Sequence, residues 1–205
     1  MRFLIVTQYY PPETGAPQNR LHSLARNLAS NGHTVEVQTA MPNYPKMRVF
    51  EEYRGRFFFT EKVEGINVRR SWIFVTKSKS IVPRLLNYFS FVITSLILGL
   101  RPKPVDYILC ESPPLFLGIS AWLIAKIRGA RLIFNVSDLW PESAEKLGII
   151  GDGWPLRAAF WLERWLYSKS YLVTGQTQGI VADIVRRFPD VRAIWLPNGV
   201  DDGVV

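Results

Sequence analysis

Short apolar runs alternate along this chain with longer stretches whose apolar residues recur every three or four positions. That alternation predicts strand followed by helix, several times over. The first run, Phe3 to Thr7, reads as a buried strand. It leads through a long polar loop to a helix beginning near Pro17, with Leu21, Leu24, Ala25 and Leu28 on one face and Asn31-Gly32 as its left-handed stop. Val35 to Thr39 is the next strand, so residues 3 to 39 form one strand-loop-helix-strand unit, which commits the sheet to parallel pairing. Further strands are expected at Ile66 to Ser71 after a Glu64-Gly65 turn, and at Asp106 to Cys110, Leu132 to Val136, Tyr171 to Thr174 and Ala193 to Leu196. Helices are expected at Leu85 to Leu100, Leu115 to Arg128, from Pro141, at Pro155 to Ser170 and at Ile180 to Phe188. Between Met41 and Lys79 the pattern is irregular. The whole predicts an α/β fold: a Rossmann-like, doubly wound, mostly parallel sheet of about six or seven strands flanked by helices.

Polar residues collect just after several of these strands, on the carboxyl edge where open α/β sheets bind ligands. The run ending at Val136 delivers Ser137 and Asp138, then Pro141, Glu142 and Glu145, residues suited to a helix N-terminus. Asp138 and Glu142 are therefore candidates for chemistry, although Asp138 is equally suited to capping the next helix. Glu111 and Gln176 fall on the same predicted edge. After the first strand, Gly15-Ala16 places two small residues ahead of a helix N-terminus, where a phosphate or sugar can approach backbone N–H groups; an ordinary surface turn would use the same residues. Neither a P-loop nor the Gly-x-Gly-x-x-Gly dinucleotide fingerprint occurs.

Charge narrows the partners. The net charge is +8 and the isoelectric point near 9.8, which favours an anionic partner: a nucleotide diphosphate, a phospholipid surface or nucleic acid. Basic and aromatic residues interleave from Lys46 to Lys79, but no RNA- or DNA-binding module surrounds them, so nucleic acid is not expected. Leu85 to Leu100 carries no charge and is flanked by Arg84, Arg101 and Lys103. As a helix it spans roughly 24 Å, short of the ~30 Å hydrocarbon core, and Asn87, Ser90, Thr94 and Ser95 interrupt it. It reads as a crossover helix on the sheet, or as one whose outer face and flanking cations meet an anionic membrane surface. The single cysteine, Cys110, excludes a disulfide framework or cysteine-based metal site, and the N-terminal run is too short for a signal sequence; a cytoplasmic setting is expected. Asn135-Val136-Ser137 matches a glycosylation sequon but lies in a predicted buried strand.

The order of segments resembles a known family. Tyr10-Pro11-Pro12-Glu13-Thr14-Gly15-Ala16, the helix ending Asn31-Gly32-His33-Thr34-Val35, Ser137-Asp138-Leu139-Trp140-Pro141-Glu142 and Leu196-Pro197-Asn198-Gly199-Val200-Asp201 together resemble retaining GT-B glycosyltransferases of family 4, closest to bacterial fucosamine-transferase-like and colanic-acid-type enzymes. The resemblance implies two facing Rossmann-like domains, the first holding the acceptor and the second most of the nucleotide-sugar through a Glu-x7-Glu signature. No such pair occurs here. Residues 1–196 are thus expected to be the acceptor-side domain and 197–205 the start of the interdomain linker, with the donor half outside the chain.

Carried onto this sequence, the resemblance puts Gly15 and Ala16 beside the donor phosphates, Glu13, Asn19 and Arg20 along the cleft, and Asp138 near the acceptor hydroxyl and the transferred sugar. His22 and His33 read as structural. The leaving diphosphate itself would take the acceptor's proton, with no metal and no cofactor beyond the nucleotide-sugar substrate. The expected partners are that nucleotide-sugar, a lipid-linked or polysaccharide acceptor in cell-surface polysaccharide synthesis, the inner face of the plasma membrane, and the C-terminal domain. The alternatives are a non-catalytic membrane-surface or acceptor-binding module, or half of a sugar-nucleotide epimerase.

Overall fold

Leu4, Ile5 and Val6 are fully buried in β1 (Arg2–Val6), a central strand of an eight-stranded sheet. The computed structural model describes residues 1–78, 80–100, 103–146 and 153–197. The remaining strands are β2 (Thr34–Ala40), β3 (Phe58–Val63), β4 (Ile66–Ser71), β5 (Tyr107–Ser112), β6 (Arg131–Val136), β7 (Leu172–Gly175) and β8 (Ala193–Trp195), in the order β3-β4-β2-β1-β5-β6-β7-β8. Only β3 runs antiparallel, to β4; every other pairing is parallel. The helices are α1 (Ala16–Ser30), α2 (Ile81–Gly99), α3 (Leu117–Arg128), the short α4 (Glu142–Lys146), α5 (Trp154–Lys169) and α6 (Gln178–Arg187).

Parallel strands buried on both faces need apolar side chains on both, and two clusters supply them. On one face Leu21 and Ala25 of α1 pack on Ile5, Val37, Val68 and Leu109. On the other, α2, α3, α5 and α6 contribute Phe91, Ala121, Ile124, Leu166 and Ile184 against Leu4, Ile108, Phe134 and Val173. Turn chemistry sets the ends: Gly32 (φ 78°) follows α1 and Gly129 (φ 64°) caps α3, both in the left-handed region that glycine adopts without a Cβ penalty.

The doubly wound, mostly parallel sheet is the expected one, with one strand more than the pattern predicted. The addition is β3, within the stretch read as irregular. It forms a hairpin with β4 through Glu64 (φ 46°) and Gly65 (φ 84°), a two-residue turn with positive φ at both positions. α2 also starts earlier than predicted: Pro83 sits in its first turn, where a missing N–H costs nothing, so the charge at Arg84 does not mark the boundary.

Candidate functional site

The chain leaves β1 through α1 on one face and leaves β5 through α3 on the other, although β1 and β5 are neighbours. That reversal opens a crevice at the carboxyl ends of the two strands, the position where such sheets take ligands. One wall begins with the loop after β1. Glu13, only 1 % exposed, accepts from the backbone N–H of Asn43 (2.7 Å), Tyr44 (2.8 Å) and Tyr10 (3.2 Å). Burial raises its carboxyl pKa, and the three N–H donors only partly offset this. Glu13 therefore fastens the loop after β1 to the loop after β2, and both its oxygens are taken up by backbone.

This loop delivers the N-terminus of α1 to the crevice. Gly15 occupies the N-cap with no side-chain acceptor, Pro17 lies in the first turn, and that turn has no acidic residue, so the positive end of the helix dipole is left uncompensated. A Cβ on Gly15 would fall 2.6 Å from Gln18 Oε1, and the buried Gln18 amide would have to move. Ala16 and Asn19 are exposed beside it.

Behind this end lies a buried polar network. The Arg20 guanidinium pairs with Glu111 at the end of β5 and donates to Ser137 Oγ (2.9 Å); Ser137 in turn donates to Glu111. Asn135 Nδ2 donates to Glu111 Oε2 (2.7 Å), and Thr174 donates to Asn135 Oδ1 (2.6 Å). One turn of α1 and the carboxyl ends of β5, β6 and β7 are thereby locked in register. A cavity of about 140 Å³, lined by Arg20, Leu24, Asn135, Leu196 and Pro197 among others, adjoins the network. The exposed carboxylate of Asp138 follows Ser137 directly and accepts from the Ser143 hydroxyl at 2.6 Å.

Not every candidate residue gathers here. Glu142 is paired with Lys146 (2.6 Å) and lies 3.8 Å from Arg187 of α6. Gln176 is half-buried after β7; its backbone N–H donates to Val136 and its carbonyl accepts from the Trp195 indole. His22 bonds Tyr10 Oη (2.9 Å) and lies 3.1 Å from Glu64, while His33 packs on Phe3. Arg84 and Lys103 sit at opposite ends of α2, Lys103 lying 3.7 Å from Glu36; Arg101 and residues 198–205 lie outside the described residues. Asn135 of the sequon is buried and hydrogen-bonded.

Sequence reasoning placed Ser137 on the ligand edge and Asn135 in a sequon without giving either a role in the site, and passed over Tyr9. The half-buried Tyr9 phenol accepts from Gln8 Nε2 (3.2 Å) and packs on Tyr44. Burial holds its pKa above the ordinary value, with Arg84 working the other way. Its position in the loop that follows β1 was the available signal. Among the described residues, no group of three or more His, Cys, Asp or Glu is arranged to hold a metal ion. The arrangement offers an anion an uncapped helix end, next to an exposed carboxylate held on a rigid polar floor.

Known proteins share this chain's sequence and fold. The family described as glycosyl transferase 4-like domain matches residues 15–199. The colanic acid biosynthesis glycosyl transferase WcaI of Escherichia coli (strain K12) is 33% identical over 156 residues, 75% of this chain and 38% of that protein. The chain thus spans well under half of that relative's length. Among solved structures, the catalytic domain of starch synthase IV from Arabidopsis thaliana, bound to ADP and acarbose, superposes with a TM-score of 0.62 at 16% identity, over 98% of this chain and 52% of that one. Anabaena HepE, in complex with UDP and glucose, gives 0.55 at 15% identity over 98% and 45%. At these identities the two structures establish a shared fold.

Proposed function

The chain belongs to the glycosyl transferase 4-like family, and from that premise we propose that it is the acceptor-side domain of a retaining glycosyltransferase. In this reading the enzyme moves a sugar from a nucleotide-sugar to a lipid-linked acceptor at the cytoplasmic face of the membrane, in cell-surface polysaccharide synthesis. The observation that carries the reading is the crevice between β1 and β5, where the uncapped end of α1 and the Asp138 loop are tied together by the Arg20–Ser137 hydrogen bond. The likeness to WcaI supports the polysaccharide setting.

The chemistry assigned to the site is a substitution at the anomeric carbon. The acceptor hydroxyl forms the new C–O bond on the face from which the nucleoside diphosphate departs, and a diphosphate oxygen receives the hydroxyl proton. The α1 terminus would stabilise the growing negative charge on the diphosphate, and Asp138 would position the acceptor and the electron-poor sugar. Most donor contacts are assigned to a second domain following Pro197, and no metal or cofactor is invoked.

Calorimetric titration of the purified chain tests this. A water-soluble, short-chain polyprenyl-diphosphate sugar is expected to bind, and nucleotide-sugars only weakly. Tight nucleotide-sugar binding with no acceptor binding would overturn the assignment and place the donor site in this half.

A further inference from the structure

Six large apolar residues on α2 face solvent: Val82, Leu86 (53 % exposed), Phe89, Ile93 (59 %), Ile97 and Leu100 just past its end. Their spacing of 4, 3, 4, 4 and 3 draws one straight stripe along a helix roughly 28 Å long. The inward side of the same helix mixes buried apolar residues (Phe91, Val92 and Leu98) with buried polar ones. Asn87 is buried, accepting from Gln8 and donating to the carbonyl of Phe74 (2.6 Å). Buried Thr94 donates to the carbonyl of Trp72 (2.6 Å), and Ser95 to Ser120 of α3 (2.9 Å). Amphipathic helices of globular domains turn their apolar side inward and a polar side outward, whereas α2 also carries a continuous apolar surface on its exposed side. α2 is long and apolar enough to cross a membrane. The bonds of Asn87, Thr94 and Ser95 instead hold it against the sheet and α3 along its length, so its outer side alone is available.

We infer that this stripe is a membrane-docking surface, in which α2 lies in the interface of an anionic bilayer and holds the crevice of the proposed transferase against it. The charge pattern selects a bilayer as occupant. From Gly65 to Val105 the sequence has 41 residues with no Asp or Glu and seven Lys or Arg; Arg69 and Arg70 are buried against Glu36 and Glu61, and the other five lie in α2 or in the segments that flank it. Trp72 and Phe74, both exposed, are tied to the middle of α2 by the bonds just described, and Lys77 follows them; aromatic rings and cations beside an apolar stripe suit the headgroup region. Arg84, close enough to Tyr9 to act on its hydroxyl, has no acidic partner among the described residues. The stripe also leads to the site. Phe89 packs on Phe116 (4.8 Å between rings), and Phe116 on Trp140 (5.6 Å), two residues from Asp138. An acceptor anchored in lipid would thus meet the crevice without leaving the membrane. This role for the surface rests on the lipid-linked acceptor proposed above.

The test uses the purified chain with Ile93→Cys carrying an environment-sensitive fluorophore; the other cysteine, Cys110, is 0 % exposed and escapes labelling. With phosphatidylcholine vesicles containing about one third phosphatidylglycerol, the probe should shift to the blue and be quenched by bromine on the acyl chains. In flotation, the triple variant Leu86→Ser, Phe89→Ser, Ile93→Ser should partition at least about tenfold less, while Val185→Ser, an exposed apolar position on α6, should partition like the parent. Circular dichroism verifies the fold of each variant. Unchanged partitioning of the triple variant, or a probe that stays in water while the chain floats, overturns the inference. So does a probe shift that grows with protein concentration without vesicles, since a second copy would then cover the stripe. The acceptor titration contains no bilayer, so acceptor binding without flotation removes only this inference, and flotation without acceptor binding removes only the proposed function.

Discussion

At Glu13 burial and hydrogen bonding pull in opposite directions, and burial prevails: the carboxyl's pKa lies above its ordinary 4.5 despite three backbone donors. A carboxyl with a raised folded-state pKa contributes its stability fully below the unfolded value and loses it as pH rises through the folded value. Glu13 should therefore lower the melting temperature as pH climbs above 4.5, and Glu13→Ala should show a shallower decline, the remainder coming from Glu163, whose carboxyl pKa burial also raises. At neutral pH the same variant should cost about 2 to 4 kcal/mol, because it strands the N–H groups of Tyr10, Asn43 and Tyr44. Scanning calorimetry across pH reads both effects, and a Glu13→Ala protein with the parent's slope would show that another group titrates. Asp106 shows the opposite sign. Hydrogen bonds from the side chain and backbone N–H of Arg2 lower its pKa from 3.8 to about 2. Its contribution is present above 3.8 and lost as pH falls toward 2, so Asp106→Asn should be less stable than the parent at neutral pH and equal to it below about 2. At this scale the sequence displayed residue types without their pairing. Glu111 was legible as a residue of the ligand edge and Arg20 came to the cleft only through the family resemblance, yet each is the other's partner across 91 positions, a fact that only the sheet order reveals.

Among the elements, legibility followed the strength of the hydrophobic pattern. β1, β5, β6 and β7 are parallel strands buried on both faces, and their apolar runs stand out. β3 is an edge strand whose exposure alternates along Phe58–Val63, with charged Glu61 and Lys62 inside it, and such a strand resembles a polar loop in sequence. What fixes it is also hidden from pattern reading: Arg70, wholly buried at a strand position, donates to Glu61 (2.5 Å) and to the carbonyls of Ala40 and Pro11, beneath the ring of Tyr53. Arg70→Leu should therefore strand Glu61 and two carbonyls at a cost of about 3 to 5 kcal/mol. Urea unfolding measures the loss. Hydrogen exchange should speed up first in β3 and the loop after β1, while β5 and β6 remain protected; uniform acceleration across the sheet would mean that Arg70 supports the whole core instead.

For the molecule as a whole, the sheet is finished on one side and open on the other. α2, α3, α5 and α6 all share one face, whereas α1 is the only helix among the described residues whose buried side chains join the cluster on the other. Ile194 and Trp195 of β8 are exposed, and the cavity beside Arg20 is lined by Leu196 and Pro197. With the chain spanning 38% of WcaI, the physical expectation is that catalysis needs the surface a second domain would add, since an anion at an open helix end remains in water, where charge stabilisation is weak. The chain alone, mixed with nucleotide-sugar and soluble acceptor, should give no turnover. Joined after Pro197 to the C-terminal half of a matching family member, it should give transfer, and Asp138→Asn in that fusion should lower kcat about 100-fold with the melting temperature unchanged. Because Asp138 is exposed and, among the described residues, its side chain is bonded only to Ser143 Oγ, a structural role would instead appear as a shifted melting temperature with kcat preserved. Turnover by the unfused chain would mean that the crevice between β1 and β5 closes around both substrates by itself.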